Sequence, residues 1–297
     1  MKGNIRFVFF GTSHVAVYVL DALEAAGYLP SLVVTMPDKP QGRSMKLVAP
    51  AVKEWALKHK IEVLQPEELH SHILQNMRML ELGVGIVCDY GKILPKELLD
   101  IPKHGFLNVH PSLLPRLRGA SPIRTAILNN ENPTGVTVMH VDEKMDHGPI
   151  IAQKKIDVPH WPVKNSELEE ILLKEGGKLL AQVLPHFVEG EIEAREQNHD
   201  VATYCEKIEK KDGLLDLPAG RQASPEEAYK NLLKIRAYEG WPGTFAFFKK
   251  GDKKIRVKIT EAHLDDSSLV IDTVVPEGKR EMSYEDFLRA GAKPGIA

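Results

Sequence analysis

Cysteine is scarce: Cys88 and Cys205 are the only two in 297 residues. Two thiols exclude a disulfide framework and are too few for a zinc-thiolate site, so a reducing, cytoplasmic setting fits best. No run of apolar residues reaches the roughly 18 that a membrane span needs. Lys2 and Arg6 before the apolar stretch 7–10 imitate the start of a secretory signal. Thr12, Ser13 and His14 break that run, and Asp21 and Glu24 fall where its core would continue, so an untargeted, soluble protein is expected. Glycine and proline follow no fixed period, which excludes a collagen-like or low-complexity chain, and no internal repeat occurs. Both the Gly-x-Gly-x-x-Gly and the P-loop signatures are missing, so Gly11, Thr12 and Ser13 read as a tight strand-to-helix turn and not as a nucleotide site.

An excess of one charge is lacking too, with a formal net charge of −2. That total argues against a generally sticky nucleic-acid binder. Resolved along the chain it is uneven: residues 1–206 carry −4, 207–260 carry +6 and 261–297 carry −4. Lys249, Lys250, Lys253, Lys254, Arg256 and Lys258 crowd one short stretch of the basic segment. On charge alone a solubilising hairpin is the plainer reading, and a polyanionic partner is the sharper one.

What is present is a chain 43% hydrophobic and 27% charged, enough for one large domain or two medium ones. Its first half alternates short apolar runs (5–10, 32–35, 84–88 and 106–109) with helical spacing over 14–26, 50–59 and 67–79, the pattern of an α/β sheet. Proline in the first turn predicts a further helix over 122–128. Runs at 137–141 and 150–158 have no helix between them, so an antiparallel pair is expected to close the sheet. A long amphipathic helix over 165–188 precedes a polar stretch, 189–200, that reads as a linker. Beyond it come a helix over 225–237 and short strands near 244–248, 255–261 and 268–274, a small and mostly β second domain. The predicted division is 1–200 and 201–297.

The stretch 105–123 holds the most chemistry. Asn108 and His110 end an otherwise apolar strand, and a period of two puts them on one face, where a neutral donor and an imidazole can hold and polarise a carbonyl oxygen. The proline-bounded turn 111–115 follows at the carboxyl edge of the sheet, where open α/β folds bind ligands. A carboxylate to orient the imidazole comes from Asp142 or Asp146, either of which also suits a turn cap, and spacing does not choose between them. The other eleven histidines show no ligand spacing, so no metal is expected. Cys88 reads as a packing residue rather than a nucleophile, and Trp241 as a packing anchor rather than a base-stacking platform.

The ordered segments Asn-Val-His (108–110), Ser-Leu-Leu-Pro (112–115), Arg-Gly-Ala-Ser-Pro-Ile (118–123), Thr-Gly-Val-Thr-Val-Met (134–139) and Asp-His-Gly-Pro (146–149) resemble those of the folate-dependent formyltransferases. The resemblance implies a Rossmann-like domain that transfers a formyl group from 10-formyltetrahydrofolate to an amine. It implies that Asn108 and His110 hold the formyl oxygen, and that Asp146 pairs with His110 and assists proton transfer. Ser112, Leu113, Leu114 and Pro115 would line the folate site, with Cys88, Tyr90 and Gly91 bordering the pterin.

The loop 36–47 resembles the insertion of those family members that act on initiator methionyl-tRNA, and 235–245 with 276–287 resemble their C-terminal, OB-like module. The implied tRNA contacts are Lys39, Arg43 and Lys46 in the loop and Lys249, Lys250, Lys253 and Lys254 in the module, which gives the basic segment a purpose. The expected function is formylation of the methionyl amine on that tRNA by a monomer with no membrane association. Ser44 and Met45 depart from the usual loop, Asp89 adds a charge beside the pterin, and the short stretch 261–268 predicts an incomplete barrel. The insertion 218–222 has no inferred role. Two alternatives are a formyltransferase acting on the amine of a sugar nucleotide, which lacks the 37–47 loop, and a catalytically silent folate- or RNA-binding protein.

Overall fold

The computed structural model describes residues 5–41, 45–217 and 223–294, so Arg43, Ser44 and the insertion 218–222 lie outside the described residues. The chain opens with β1 (Phe7–Gly11), α1 (His14–Ala25), β2 (Leu32–Val34), β3 (Lys39–Gln41) and β4 (Lys46–Val48). Then come α2 (Ala51–Lys58), β5 (Val63–Leu64), α3 (Ser71–Met79), β6 (Val84–Cys88), the single turn α4 (Lys96–Leu99), β7 (Phe106–His110) and β8 (Arg118–Gly119). The middle holds α5 (Pro122–Leu128), β9 (Thr134–His140), β10 (Ile150–Ile156) and α6 (Asn165–Val188). The last third runs β11 (Tyr204–Cys205), α7 (Pro225–Ala237), β12 (Thr244–Lys250), β13 (Lys253–Asp265), β14 (Ser268–Pro276), β15 (Met282–Ser283), α8 (Tyr284–Arg289) and β16 (Ala292–Pro294). Among the described residues no helix is long and apolar enough to cross a membrane.

Two compact units share these elements, and the division is not a single cut. Residues 1–119, 133–157 and 169–204 form the first, and 120–132, 158–168 and 205–297 the second.

In the first unit a seven-stranded sheet has the order β10-β9-β7-β6-β1-β2-β5. β5, β2, β1, β6 and β7 are parallel, while β9 runs antiparallel to β7 and β10 antiparallel to β9, the expected closing pair. Parallel strands are covered on both faces, which is why Phe7, Val8, Phe9 and Phe10 are all fully buried. One face packs Val8, Phe10, Val34, Met77, Leu98 and Phe106 together. Two glycines inside α6 allow its close approach: a Cβ at Gly176 would lie 2.5 Å from Val109 Cγ1, and one at Gly177 would lie 2.7 Å from Ala22 Cβ. Strand order reverses at β1, with β2 to one side and β6 to the other, so the ligand crevice of such a sheet falls outside the carboxyl ends of β1, β6 and β7. The turn after β1 is the tight one expected, with Ser13 capping α1 by accepting from the Val15 N–H at 3.3 Å.

The second unit is built on a five-stranded sheet of order β15-β14-β13-β12-β16, antiparallel throughout. β15 and β16 are its edges, so among the described residues the sheet is open, in keeping with the incomplete barrel expected. β13 runs further than expected, to Asp265, because Asp266 and Ser267 both take positive φ (42° and 67°) and close a two-residue hairpin. Ile235 from α7 and Phe287 from α8 join Phe248, Val257 and Val274 in its core. Polar locks bring in the two central segments: Asn130 Oδ1 accepts from Trp161 Nε1 at 2.7 Å and the Tyr229 hydroxyl at 2.8 Å, and Lys164 pairs with Glu261. One sequence expectation is corrected here. Trp241 is 47% exposed rather than packed in a core, and its neighbour Pro242 is the buried member of that turn.

Candidate active site

Asn108 and His110 lie on one face of β7, as the period of two requires, and His110 is only 4% exposed. Its Nε2 lies 2.9 Å from the Leu117 carbonyl oxygen. A carbonyl only accepts, so Nε2 carries a proton and Nδ1 is the nitrogen turned to chemistry. That Nδ1 is 3.7 Å from Asp146 Oδ1, and Asn108 Nδ2 is 3.5 Å from the same oxygen. The other carboxylate oxygen, Oδ2, accepts the Gly119 N–H at 2.7 Å. Two side chains of β7 therefore meet on one carboxylate supplied by a distant stretch.

The loop that carries Asp146 is tightly returned. Asp146 itself has φ +49°, and a Cβ at Gly148 would lie 2.0 Å from the His140 carbonyl oxygen, so only glycine passes there. Asp142, the other carboxylate in the stretch, is engaged within its own loop. It accepts from His147 Nδ1 at 2.6 Å and caps the loop through the Lys144 N–H at 2.9 Å. A cavity of about 800 Å³ borders the same loop, lined in part by Leu99, Gly105, His140, Val141, Asp142 and His147. None of Asn108, His110 and Asp146 lines it.

The turn after β7 is held from within. Ser112 Oγ donates to the Arg116 carbonyl at 2.6 Å, and Thr137 Oγ1 donates to the Ser112 carbonyl at 2.7 Å while accepting the Leu114 N–H at 3.1 Å. Ser112 and Leu114 are buried, and Leu113 and Pro115 are half-buried. Leu114 packs with Met139 and Ile150. Cys88, the last residue of β6, and Tyr90 just beyond it are buried as well, leaving Gly91, at φ +91°, as the exposed member of that expected trio. Burial pushes the Cys88 thiol far up, so it carries no thiolate at neutral pH and agrees with a packing role. Burial also raises the Tyr90 phenol to about 12, and its hydroxyl finds no hydrogen-bond partner among the described residues. The charge of Asp89 is engaged by the Ser13 hydroxyl, which donates to its Oδ2.

The expected basic residues fall in two places. Lys39 and Lys46 are exposed on the β3–β4 hairpin, whose root is fastened by Asp38. Lys53 Nζ donates to both Asp38 oxygens at 2.8 Å and Gln65 donates at 2.7 Å, which together hold that carboxyl below its ordinary range. In the second unit Lys249, Lys250, Lys253 and Lys254 are exposed, with Lys249 opposite Lys254 and Lys250 opposite Lys253. β16 adds a residue that sequence reasoning missed, Lys293, opposite Lys249 on its other side. Lys293, Lys249 and Lys254 thus form a row across three strands, and the cations of Lys254 and Arg256 sit 4.3 Å and 3.8 Å from the rings of Phe247 and Phe245. Directly opposed like charges destabilise a sheet, so this row is held at a cost to the fold. Gln197 is the second missed residue: it lies 5% exposed in the stretch read as a linker and bonds to the Asp146 loop. For metals, the one grouping of ligand types among the described residues is His186, Glu189 and Glu191, all exposed.

The family model described as "Formyl transferase" matches residues 4–184. A methionyl-tRNA formyltransferase from Chloroflexus aggregans is 43% identical over 246 residues, 82% of this chain and 77% of that one. One from Bacillus subtilis is 35% identical over 306 residues, 96% of this chain and 94% of that one. Among solved structures, the methionyl-tRNA formyltransferase of Clostridium thermocellum superposes with a TM-score of 0.56 at 15% identity, covering 92% of this chain and 98% of that one. An N-formyltransferase from Helicobacter canadensis, solved with folinic acid and dTDP-3-aminofucose, gives 0.61 at 19%, covering 90% and 95%; at these identities the likeness is one of fold. By the matched family model, and by relatives 43% identical over 82% of the chain and 35% identical over 96% of it, this protein belongs to the methionyl-tRNA formyltransferase family.

Proposed function

We propose that this chain transfers the formyl group of 10-formyltetrahydrofolate to the α-amino group of methionine on initiator methionyl-tRNA, as a monomer in the cytoplasm. The observation that carries the reading is the meeting of Asn108 and His110 on the Asp146 carboxylate at the carboxyl end of β7. In the reaction a C–N bond forms between the amine and the formyl carbon, the bond from that carbon to the folate nitrogen breaks, and one proton moves from the attacking to the leaving nitrogen. Asn108 Nδ2–H and a protonated His110 Nδ1 are the donors for the oxygen that becomes negative at the tetrahedral stage. Asp146 offsets the positive charge on the attacking amine and takes its proton, and His110 Nδ1 supplies one to the leaving nitrogen. The folate co-substrate falls to the turns 88–91 and 112–115, where Gly91, Leu113 and Pro115 offer accessible surface while Cys88, Tyr90, Ser112 and Leu114 support it from below.

We assign the catalytic and folate-binding roles to the first unit and tRNA binding to the β3–β4 hairpin and the lysine-bearing sheet of the second. Purified protein given 10-formyltetrahydrofolate is expected to formylate methionyl-tRNA and to leave an amino-sugar nucleotide unmodified. The reverse preference sinks the reading, and absence of turnover on both points to a silent binding protein. Replacing Lys249, Lys254 and Lys293 together by alanine is expected to raise the tRNA Kd at least tenfold and to flatten its dependence on salt. Each lost phosphate contact removes about one from the slope of log K against log salt, while kcat at saturating tRNA stays near wild type. An unchanged slope removes these lysines from the RNA contact.

A further inference from the structure

The backbone of Asp146 takes a left-handed conformation (φ +49°) that persists only where the surroundings over-determine it. The Gly119 N–H holds its carboxylate at 2.7 Å, and a second clamp holds its main chain. Gln197 Nε2 donates to the carbonyls of Asp146 at 3.0 Å and Gly148 at 2.7 Å, straddling His147. Gln197 Oε1 in turn accepts from Arg118 Nε at 3.1 Å and from a terminal nitrogen of the same guanidinium at 2.6 Å. A guanidinium only donates and a carbonyl only accepts, so the amide sits one way round and each of its atoms is used twice. Arg118 is 1% exposed and is itself fixed: the same terminal nitrogen reaches His199 Nδ1 at 2.9 Å, and the main-chain N–H of Arg118 donates to the Thr203 carbonyl at 2.9 Å. Arg118 and Gly119 are consecutive, so one dipeptide reaches Asp146 by two routes, directly through an N–H and indirectly through Gln197.

We propose that Gln197, aimed by Arg118, is a positioning residue for the formyl-transfer reaction, setting the place of the Asp146 carboxylate against His110 without touching substrate. The proposal rests on the reading of Asp146 as the reacting carboxylate. A displacement near 1 Å at a reacting group costs up to about a hundredfold in rate, and that sets the scale expected here.

Gln197→Met keeps the length of the side chain and removes both donor and acceptor. It is expected to lower kcat about 30- to 100-fold, with KM for 10-formyltetrahydrofolate and for methionyl-tRNA within about threefold. Gln197→Glu keeps an acceptor for Arg118 but has no donor for the two carbonyls, so it is expected to fold with an unchanged melting temperature and show the same loss of kcat. In an Asp146→Asn background Gln197→Met is expected to add less than about twofold, because the group it positions is already inert; a merely structural role multiplies the two losses. A kcat within threefold of wild type in both Gln197 variants, or full multiplication in the double variant, overturns the positioning role. Full activity in Asp146→Asn alone overturns instead the reading on which it rests.

Discussion

His110→Ala is expected to lower kcat about a thousandfold, with the Kd for folate changed less than about threefold. Two losses combine. The first is the proton carried to the leaving nitrogen, a general-acid contribution of roughly 10²–10⁴. The second is the hydrogen bond to the developing oxyanion, where removal of a single donor costs about 10²–10³. The losses overlap because one nitrogen serves both, so their product is not expected. That nitrogen is Nδ1, because Nε2 is committed to the Leu117 carbonyl at 2.9 Å. Since the imidazole is 4% exposed, alanine also leaves a cavity and removes a hydrogen bond to the Leu117 carbonyl. His110→Gln, which refills most of the space, separates this structural cost from the chemical one: kcat stays low if Nδ1 carries protons and returns if the ring only packs. The measurement is single-turnover formylation, with folate binding followed separately.

The second large effect is expected at Asp146→Asn, about a hundredfold or more in kcat. The substitution keeps volume, and the new amide oxygen still accepts the Gly119 N–H that lies 2.7 Å from Asp146 Oδ2. What changes is the other arm, since an NH₂ then faces Asn108 Nδ2 and His110 Nδ1 at the positions now 3.5 Å and 3.7 Å from Oδ1. Donor meets donor, and no anion remains to offset the charge on the attacking amine or to take its proton. Asp142→Asn is the control. It breaks the 2.6 Å pair with His147 and lies outside the Asn108–His110 contact, so kcat within a few-fold of wild type is expected. Equal loss in both variants contradicts the separation of roles.

Much of the fold is legible without coordinates, for local reasons. Pro122–Leu128, Asn165–Val188 and Pro225–Ala237 occupy the predicted bounds, since proline in the first turn or a long apolar period marks each of them. Val84–Cys88 does so as well, as a short apolar run buried on both faces. Elements of two to four residues, such as Val63–Leu64, Lys96–Leu99 and Ala292–Pro294, are invisible because they are shorter than any period that signals them. The linker reading of 189–200 fails at Gln197 for a different reason. That residue looks like one more polar side chain until Arg118, 79 positions earlier, is brought to 2.6 Å from it.

Local pattern by itself determined the alternating α/β framework, the β-rich C-terminal part, the uneven charge and the one-faced pairing of Asn108 with His110, because each depends on neighbours within a turn or a strand. Spacing left Asp142 and Asp146 equal and only the family resemblance favoured Asp146; the tertiary structure shows that Asp146 meets His110, that Arg118 and Gln197 stand behind it, and that Lys293 completes a row with Lys249 and Lys254. Those choices join residues 36, 79 and 44 positions apart, and no short-range spacing encodes them. They are settled by where strands of one sheet lie side by side and where a loop at left-handed φ is pinned.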